Sequence, residues 1–535
     1  MPKAAVASGV GGTGTTRRNV RLSLINRLAL AGAAVLLLAS CGTLHQSTGD
    51  AEYSRPVLDT AFRNIDDRYV TKASLPDVAI AGLDAVVSAE PLAELSRRKD
   101  TISLVYNDMQ LGGWAVPAAH DHGGWATLVA EALDRLRENS SNLQKAGVDA
   151  ELALFFDGGL AKLDRYTRYS TPSQAVDTRA RREGFGGIGI NIRHTGNRIV
   201  ITEVHRDTPA ERAGLRVGDE IVRVGNVALR GLNEHEVIRH LRGPSHSTAE
   251  LTIRRRGAPR LLEFSIVRAH IILQTVESRR DGRYLYIKIS GFNQGTSRAL
   301  GRALTTAERE GTSSLKGVIL DLRANPGGLL DQAVAVSDFF LNDGRIISTR
   351  GRFLRANQIF DASWGERVRN LPIALLVNGR SASASEIVAA ALRDRGRAVL
   401  VGTSSFGKGS VQTIIRLPNS GELTMTWAHL IAPSGFSLQG HGVIPAICTS
   451  AGNGEVAAMM KAVHGDTPSP VSVFADMLET RHSVLTDPVR ARKECPPTSD
   501  LATRDVDIAK FVLANKQLYT RALVDGGPAI AEREE

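Results

Sequence analysis

Residues 401–412 read VGTSSFGKGSVQ. An apolar run, AVLVG, leads into a glycine-rich stretch in which one lysine, Lys408, stands between Gly407 and Gly409. Gly402, Gly407 and Lys408 fit the spacing of a phosphate-binding loop, G-x-x-x-x-G-K-[ST]. Gly409 occupies the place of the hydroxyl that would hold magnesium. A phosphate loop also needs a helix after the lysine, so that N–H groups at its start can cradle the anion. The segment after Gly409 is SVQTIIRLP, which is strand-like, and no Walker B strand ending in a matching carboxylate is evident. The stretch therefore does not define a nucleotide-binding fold, and Lys408 calls for another chemistry.

The flanking sequence shows which fold carries it. From about Ile271, YLYIKI, GVILDLR, IALLV and AVLVG read as buried strands, and TSRALGRALTTAERE, LLDQAVAVSDFFL and ASEIVAAALRDRG as the helices between them. That alternation predicts an α/β core with a largely parallel sheet and crossovers. Before it, GIGINIRH, RIVITEV, DEIVRVGN and AELTIRRR are short, β-branched and separated by turn residues, which predicts a small β-rich domain with one helix, NEHEVIRHLRG. From Pro56 to about Arg182 apolar residues recur at helical spacing, interrupted by LGGWAVPAAHDHGGW. Beyond Glu455 the chain reads as a polar, helix-capable tail with proline-rich breaks.

Twenty-five residues before Lys408 lies Ser383, in NGRSASASEIVAAALRDRG, where a strand gives way to a helix. Ser383 and Glu386 have the spacing of a capping box, which is sufficient reason for the serine. The same place suits a nucleophile, because the helix start favours negative charge and the next N–H can serve an oxyanion. A serine hydroxyl needs a base, and a lysine can act as one when burial lowers its pKa. Lys408, flanked by glycines, Phe406 and Val411, fits that role, with Gln412 as a side chain to orient it. A third piece is GVILDLRANPGG, residues 317–328. Its Asn-Pro-Gly-Gly makes a turn in any protein, but its glycines also allow close approach of a substrate and offer N–H donors.

The order DLRANPGG, SASASEI with ALRDRG, VGTSSFGKGSVQ and APSGFSLQGHGVIP resembles the serine peptidases known as carboxyl-terminal processing or tail-specific proteases, over about residues 55–450. LAKLDRYTRYSTP matches a stretch of that family just before an embedded PDZ domain. The resemblance implies a multidomain α/β protein whose protease core has a ClpP/crotonase-like layered sheet. It places the nucleophile on Ser383, the general base on Lys408 and the supporting glutamine on Gln412. The oxyanion donors fall on the N–H of Ala384 and on Gly327 or Gly328, and Asp394 matches a supporting acidic position, with a helix-surface residue as the plainer reading. Ser381 and Ser385 are competing hydroxyls that the family register sets aside. Residues 184–268 resemble a PDZ domain, which would add a peptide C-terminus as a strand beside Gly187, Ile188, Gly189 and Ile190, under a helix bearing Val237 and Leu241. Two departures concern substrate preference: Leu430 stands where a tyrosine is frequent, and GVIPAI lacks an acidic residue after its proline.

The chain has 535 residues and a net charge of +10. Half of that charge, Lys3, Arg17, Arg18, Arg21 and Arg27 with no acid, lies in the first 41 residues, and no basic run is interleaved with aromatics, so nucleic-acid binding is not expected. Leu28 to Ser40 is an apolar run of signal-peptide length. It ends in LASC, which resembles a bacterial lipoprotein processing box with Cys41 as the lipidated residue. The Arg17-Arg18 pair has a poor context for the folded-export route. The expectation is a cell-envelope protein on the periplasmic side, anchored to a membrane by lipid. Cys448 and Cys495 then face an oxidising compartment and stand either as a disulfide or as two buried thiols. His120 and His122 lack a third ligand, and His235 and His240 are five apart, so they do not share a helical face as HExxH requires; no metal and no cofactor is expected. The expected organisation is 1–41 signal with lipoprotein box, 42–183 tether and helical region, 184–268 PDZ, 269–455 protease core and 456–535 tail. The expected partners are unfolded or extended proteins with accessible C-termini, with a homo-oligomer or an adaptor protein left open. A non-cleaving envelope scaffold that binds protein C-termini is the alternative reading.

Overall fold

The computed structural model describes residues 48–525, apart from 468 and 486. The apolar leader and Cys41 lie outside the described residues. At the centre is a six-stranded sheet ordered Val276–Asp281, Tyr284–Ile289, Gly317–Asp321, Ile373–Val377, Ala398–Gly402 and Ile447–Cys448. Only the first pair is antiparallel. Three of the strands, GVILD, IALLV and AVLVG, are buried at every residue, as expected of a parallel sheet covered on both faces.

Strand periodicity shows what covers it. Val318, Leu320, Ile373, Leu375 and Leu400 point to one face, where they pack with residues of the helices Thr296–Arg309, Leu330–Asp338 and Ala384–Asp394. The alternate residues Ile319, Ala374, Leu376, Val399 and Val401 point to the other face, because successive side chains of a strand emerge on opposite sides. There they meet Phe474, Leu478, Ile508, Ala509 and Val512, from the helices Pro470–Leu485 and Thr503–Ala514. The stretch read as a polar tail is thus the second cover of the sheet. Cys448 and Cys495 form a disulfide that ties this C-terminal part to the sheet's last strand.

A second sheet runs Gln358–Asp361, Arg345–Arg350, Glu422–Ile431 and Ser410–Arg416, with Arg168–Ser170 also paired to Glu422–Ile431. Leu423 and Met425 of this sheet share a core with Phe62, Phe155, Phe156 and Tyr169 of the N-terminal region. That region contains the expected helices, among them Leu75–Ser88, His122–Asn139 and Val148–Leu160. It also holds a three-stranded antiparallel meander, Ala93–Arg97, Thr101–Tyr106 and Met109–Ala115, which helical spacing did not predict.

Between these parts, Ile190–Thr195, Arg198–Val204, Glu220–Val224, Thr248–Arg254 and Leu262–Val267 form the inserted β-rich domain, with Ile190–Thr195 as an edge strand. Its core gathers Ile188, Ile201, Val237, Leu241 and Leu251. The helix Pro172–Glu183 leads into it, and Arg179 and Arg182 of this helix both bind Glu422, which is 1% exposed, on the second sheet.

Candidate active site

The helix Ala384–Asp394 is buried on nearly all sides, and Ser383 is its N-cap. Ser383 has φ +55° and ψ −111°, a strained conformation for a residue with a β-carbon, of the kind that persists where the surroundings dictate it. The neighbouring hydroxyls are committed elsewhere: Ser381 donates to the Leu322 carbonyl at 2.8 Å and Ser385 to the Asn325 carbonyl at 2.9 Å. Ser381 and Ser385 are fully buried, whereas Ser383 is only half-buried.

Glu386 is fully buried and receives four donors. Its Oε2 accepts the Ser383 N–H at 2.7 Å and the Lys408 N–H at 2.9 Å. Its Oε1 accepts the Gly407 N–H at 2.6 Å and the Ser405 hydroxyl. Burial pushes the Glu386 carboxyl pKa up, and these donors pull against it. One carboxylate oxygen thereby fixes the backbone of both Ser383 and Lys408. The S-x-x-E spacing revealed half of this arrangement as a helix cap; the half that reaches Lys408 has no local signature.

Glycine is required on both sides of Lys408. Gly407 has φ +91°, and a β-carbon at Gly409 would lie 2.0 Å from the Gln439 nitrogen. The Lys408 ammonium lies 4.8 Å from the centroid of the Tyr166 ring, and Arg165 stacks over Tyr166 and Phe406. Burial and the Arg168 guanidinium lower the Lys408 pKa, while Asp164 and Glu386 partly oppose them. Tyr166, Arg165, Asp164 and Arg168 all come from LDRYTRYSTP, which supplies one wall of the lysine's surroundings. Among the described residues no hydrogen bond joins Ser383 Oγ to Lys408 Nζ.

Gln412 lies on Ser410–Arg416. Its amide nitrogen donates to Ser410 Oγ at 2.9 Å and Thr426 Oγ1 at 3.3 Å, and Thr426 in turn donates to Asp164. The structure does not join Gln412 to Lys408 by a hydrogen bond. Asp394, at the far end of the Ala384–Asp394 helix, is buried rather than on the surface. Its carboxylate accepts the Ser434 N–H at 3.2 Å and hydroxyl at 2.6 Å, which fastens the APSG turn.

The Asn-Pro-Gly-Gly turn lies against Ser383. A β-carbon on Gly327 would meet the Ala382 oxygen at 2.6 Å and Ser383 Cβ at 2.9 Å, and one on Gly328 would meet the Phe292 oxygen at 2.1 Å. The Gly327 N–H is taken by the Asn325 side chain at 2.9 Å. The Gly328 N–H has no acceptor among the described residues, and the Ala384 N–H belongs to the first helical turn, where no intrahelical acceptor exists. The N–H groups of Ala384 and Gly328 are therefore both without a protein acceptor among the described residues.

In the inserted domain, Gly189 has φ +88°, and Ile188 and Gly189 have N–H groups without acceptors among the described residues. Gly187 pairs with Ala269, and Ile190 with Val204. Val237 and Leu241 are 0% and 7% exposed and belong to the domain's core.

A strained, half-buried serine at a helix start, a lysine loop held by the same carboxylate and an inserted β domain fit a serine-type peptidase core. A model of peptidase family S41 matches residues 283–449, and a PDZ-domain model matches residues 200–255. A carboxy-terminal-processing protease of Bartonella bacilliformis is 43% identical over 293 residues, spanning 54% of this chain and 68% of that protein. A probable CtpA-like serine protease of Staphylococcus aureus is 33% identical over 317 residues, spanning 58% of this chain and 60% of that protein. The solved photosystem II D1 C-terminal processing protease is 25% identical, with 74% of this chain and 92% of that one covered and a TM-score of 0.37. The chain belongs to peptidase family S41, as a carboxy-terminal-processing serine peptidase with a PDZ domain.

Proposed function

We propose that the chain is an endopeptidase in which Ser383 attacks a peptide carbonyl and Lys408, as a neutral amine, takes its proton. The N–H groups of Ala384 and Gly328 hold the oxyanion, Lys408 returns the proton to the leaving amine, and water hydrolyses the acyl-enzyme. Gly327 serves as the turn that presents Gly328, since its own N–H is occupied. Gln412 supports the base through its amide oxygen, which carries no hydrogen bond among the described residues. The observation that carries this reading is the shared Glu386 oxygen, which holds the strained Ser383 and the desolvated Lys408 together. Asp394 acts through the APSG turn.

The substrates in this reading are unfolded or extended exported proteins. Their C-terminal carboxylate is received by the free N–H groups of Ile188 and Gly189, and their chain extends the edge strand from Ile190. Cys41 anchors the enzyme by lipid on the periplasmic side of the bacterial envelope. The test is cleavage of an unstructured protein by the full chain, by Ser383→Ala and by Lys408→Ala. Loss of cleavage in both variants, with folding retained, is expected. Persistent cleavage by Ser383→Ala overturns the mechanism, and no cleavage by the unaltered chain favours the scaffold reading.

A further inference from the structure

The loop that carries Lys408 is gripped from two sides. Its donors are answered from the nucleophile's side: Glu386 takes the N–H groups of Gly407 and Lys408, and the Ser381 carbonyl takes that of Phe406 at 2.9 Å. Its acceptors are answered from the C-terminal segment. Arg492 donates to the Ser405 carbonyl at 2.6 Å, to the His441 carbonyl at 2.9 Å and to the Phe406 carbonyl at 3.2 Å. Three carbonyls converging on one guanidinium use its forked donors, which an ammonium cannot reproduce. Arg492 lies outside the stretch matched by the peptidase family, residues 283–449. It sits on the helix Pro488–Glu494, and Cys495, the next residue after that helix, is bonded to Cys448 at the edge of the core sheet. Beyond the disulfide, the Thr498 carbonyl accepts the Gly379 N–H at 2.7 Å, and the Ala502 carbonyl accepts Arg323 at 2.7 Å. The same strap thus touches the turn before Ser383 and the strand end before Asn-Pro-Gly-Gly.

We propose that Arg492 is a positioning residue for the peptidase reaction, holding the Lys408 loop from the carbonyl side, and that the Cys448–Cys495 disulfide keeps Arg492 in place. The inference rests on Lys408 being the base. It makes activity dependent on the oxidised chain. A dithiol reductant supplies two electrons and two protons, becomes a disulfide itself and leaves two thiols at Cys448 and Cys495, freeing the helix end that carries Arg492.

The test uses the full chain and an unstructured protein substrate, with kcat, KM, the pH profile of kcat/KM and the melting temperature measured for Arg492→Met, Arg492→Lys and Cys448→Ala/Cys495→Ala. A positioned general base supplies roughly 10²–10⁴-fold. Arg492→Met is therefore expected to lower kcat about 10- to 100-fold with KM within about twofold. Lys408 is faced by Asp164 and Arg168 from the segment before the PDZ domain and by Glu386 from the nucleophile helix. Removing a cation near Glu386 and admitting water both favour protonated Lys408, so the ascending limb of the profile moves to higher pH. Arg492→Lys keeps the charge and restores the limb but only part of kcat. The cysteine double variant or dithiothreitol lowers kcat in the parent, and dithiothreitol has little further effect in Arg492→Met, because coupled sites are non-additive. If Lys408→Ala is inactive while Arg492→Met keeps its kcat and pH limb, the inference falls and the dyad stands. If Lys408→Ala is active, both fall. Full additivity of reduction and Arg492→Met breaks the link to the disulfide.

Discussion

Replacing Glu386 by glutamine keeps the shape of the side chain and removes one acceptor position. If the new NH₂ takes the place of Oε2, it confronts the N–H groups of both Ser383 and Lys408. If it takes the place of Oε1, it confronts the Gly407 N–H, while the Ser405 hydroxyl can rotate to accept from it. The second arrangement is the less costly. It leaves one buried N–H unsatisfied, at about 1–3 kcal/mol, and turns two charge-assisted hydrogen bonds into neutral ones of about half the strength. Relief of a buried charge offsets part of this. The net destabilisation is about 2–4 kcal/mol. About 1–2 kcal/mol of it, felt as misplacement of Lys408 relative to Ser383, slows kcat roughly 5- to 30-fold. The assay is kcat and KM on an unstructured protein substrate, alongside the urea midpoint of the full chain. Glu386→Asp keeps the charge on a shorter stem and is expected to recover part of the stability. A Glu386→Gln protein with the parental urea midpoint and kcat would refute the claim that this carboxylate sets the distance between Ser383 and Lys408.

The pH profile carries a second prediction. Burial, followed by the Arg168 guanidinium, depresses the Lys408 pKa, so activity rises with pH through a limb below the ordinary lysine range. Arg168→Gln removes a repelling cation, raises that pKa and moves the limb to higher pH; an unmoved limb in a kcat/KM titration counts against Lys408 as the base. A third concerns Glu422, whose carboxyl burial pushes up but which Arg182 and Arg179 hold below its ordinary value overall. A carboxyl lowered in the folded state stabilises above its unfolded pKa and loses that contribution as pH falls through the folded one. Acid unfolding is therefore expected to begin as pH falls below about 4.5, the ordinary glutamate value. Glu422→Gln, about 2 kcal/mol less stable at neutral pH, should show a shallower acid slope in urea titrations.

Much of the catalytic core was legible because its signals are local. GVILD, IALLV and AVLVG are apolar throughout, as only a doubly covered strand needs to be. Asn-Pro-Gly-Gly demands a turn, and the serine at the strand-to-helix junction stands three residues before a glutamate. The three-stranded meander was not legible, because its strands are short, largely exposed and contain polar and charged residues such as Glu94, Ser96 and Arg97. The C-terminal helices looked like a tail because the sheet residues that Ile508 and Val512 cover, such as Ile319, Leu376 and Val401, lie more than a hundred residues away in sequence. The cysteine pairing stayed open because a separation of 47 residues does not show whether the two Cα atoms come close enough to be bridged. Gln412 has the expected place in the chain, but its hydrogen bonds go to Ser410 and Thr426, which the spacing from Lys408 does not reveal. Arg492, one of 66 basic residues, has no local feature that sets it apart.

The residues that hold the site share a property that explains why they are charged. Asp321 and Arg323 are both nearly buried and bonded to each other, and Arg323 extends to Asp505. Glu386 is buried beneath Ser383 and Lys408, and Arg492 lies behind the Lys408 loop. Buried ions are weak contributors to net stability, since their desolvation cancels much of what they gain. Their return is directional. A carboxylate collects N–H groups from two loops, and a guanidinium collects carbonyls from three residues, in geometries that apolar packing does not specify. In this chain the loops to be aligned end parallel strands separated in sequence by tens of residues, so no helix or hairpin fixes them to one another. Placing an anion under the donors and a cation over the acceptors of the same four-residue stretch, Ser405 to Lys408, fixes that stretch along both of its polar edges. The backbones of Ser383 and Lys408 are thereby held by one carboxylate, while the Lys408 ammonium carries no hydrogen bond among the described residues.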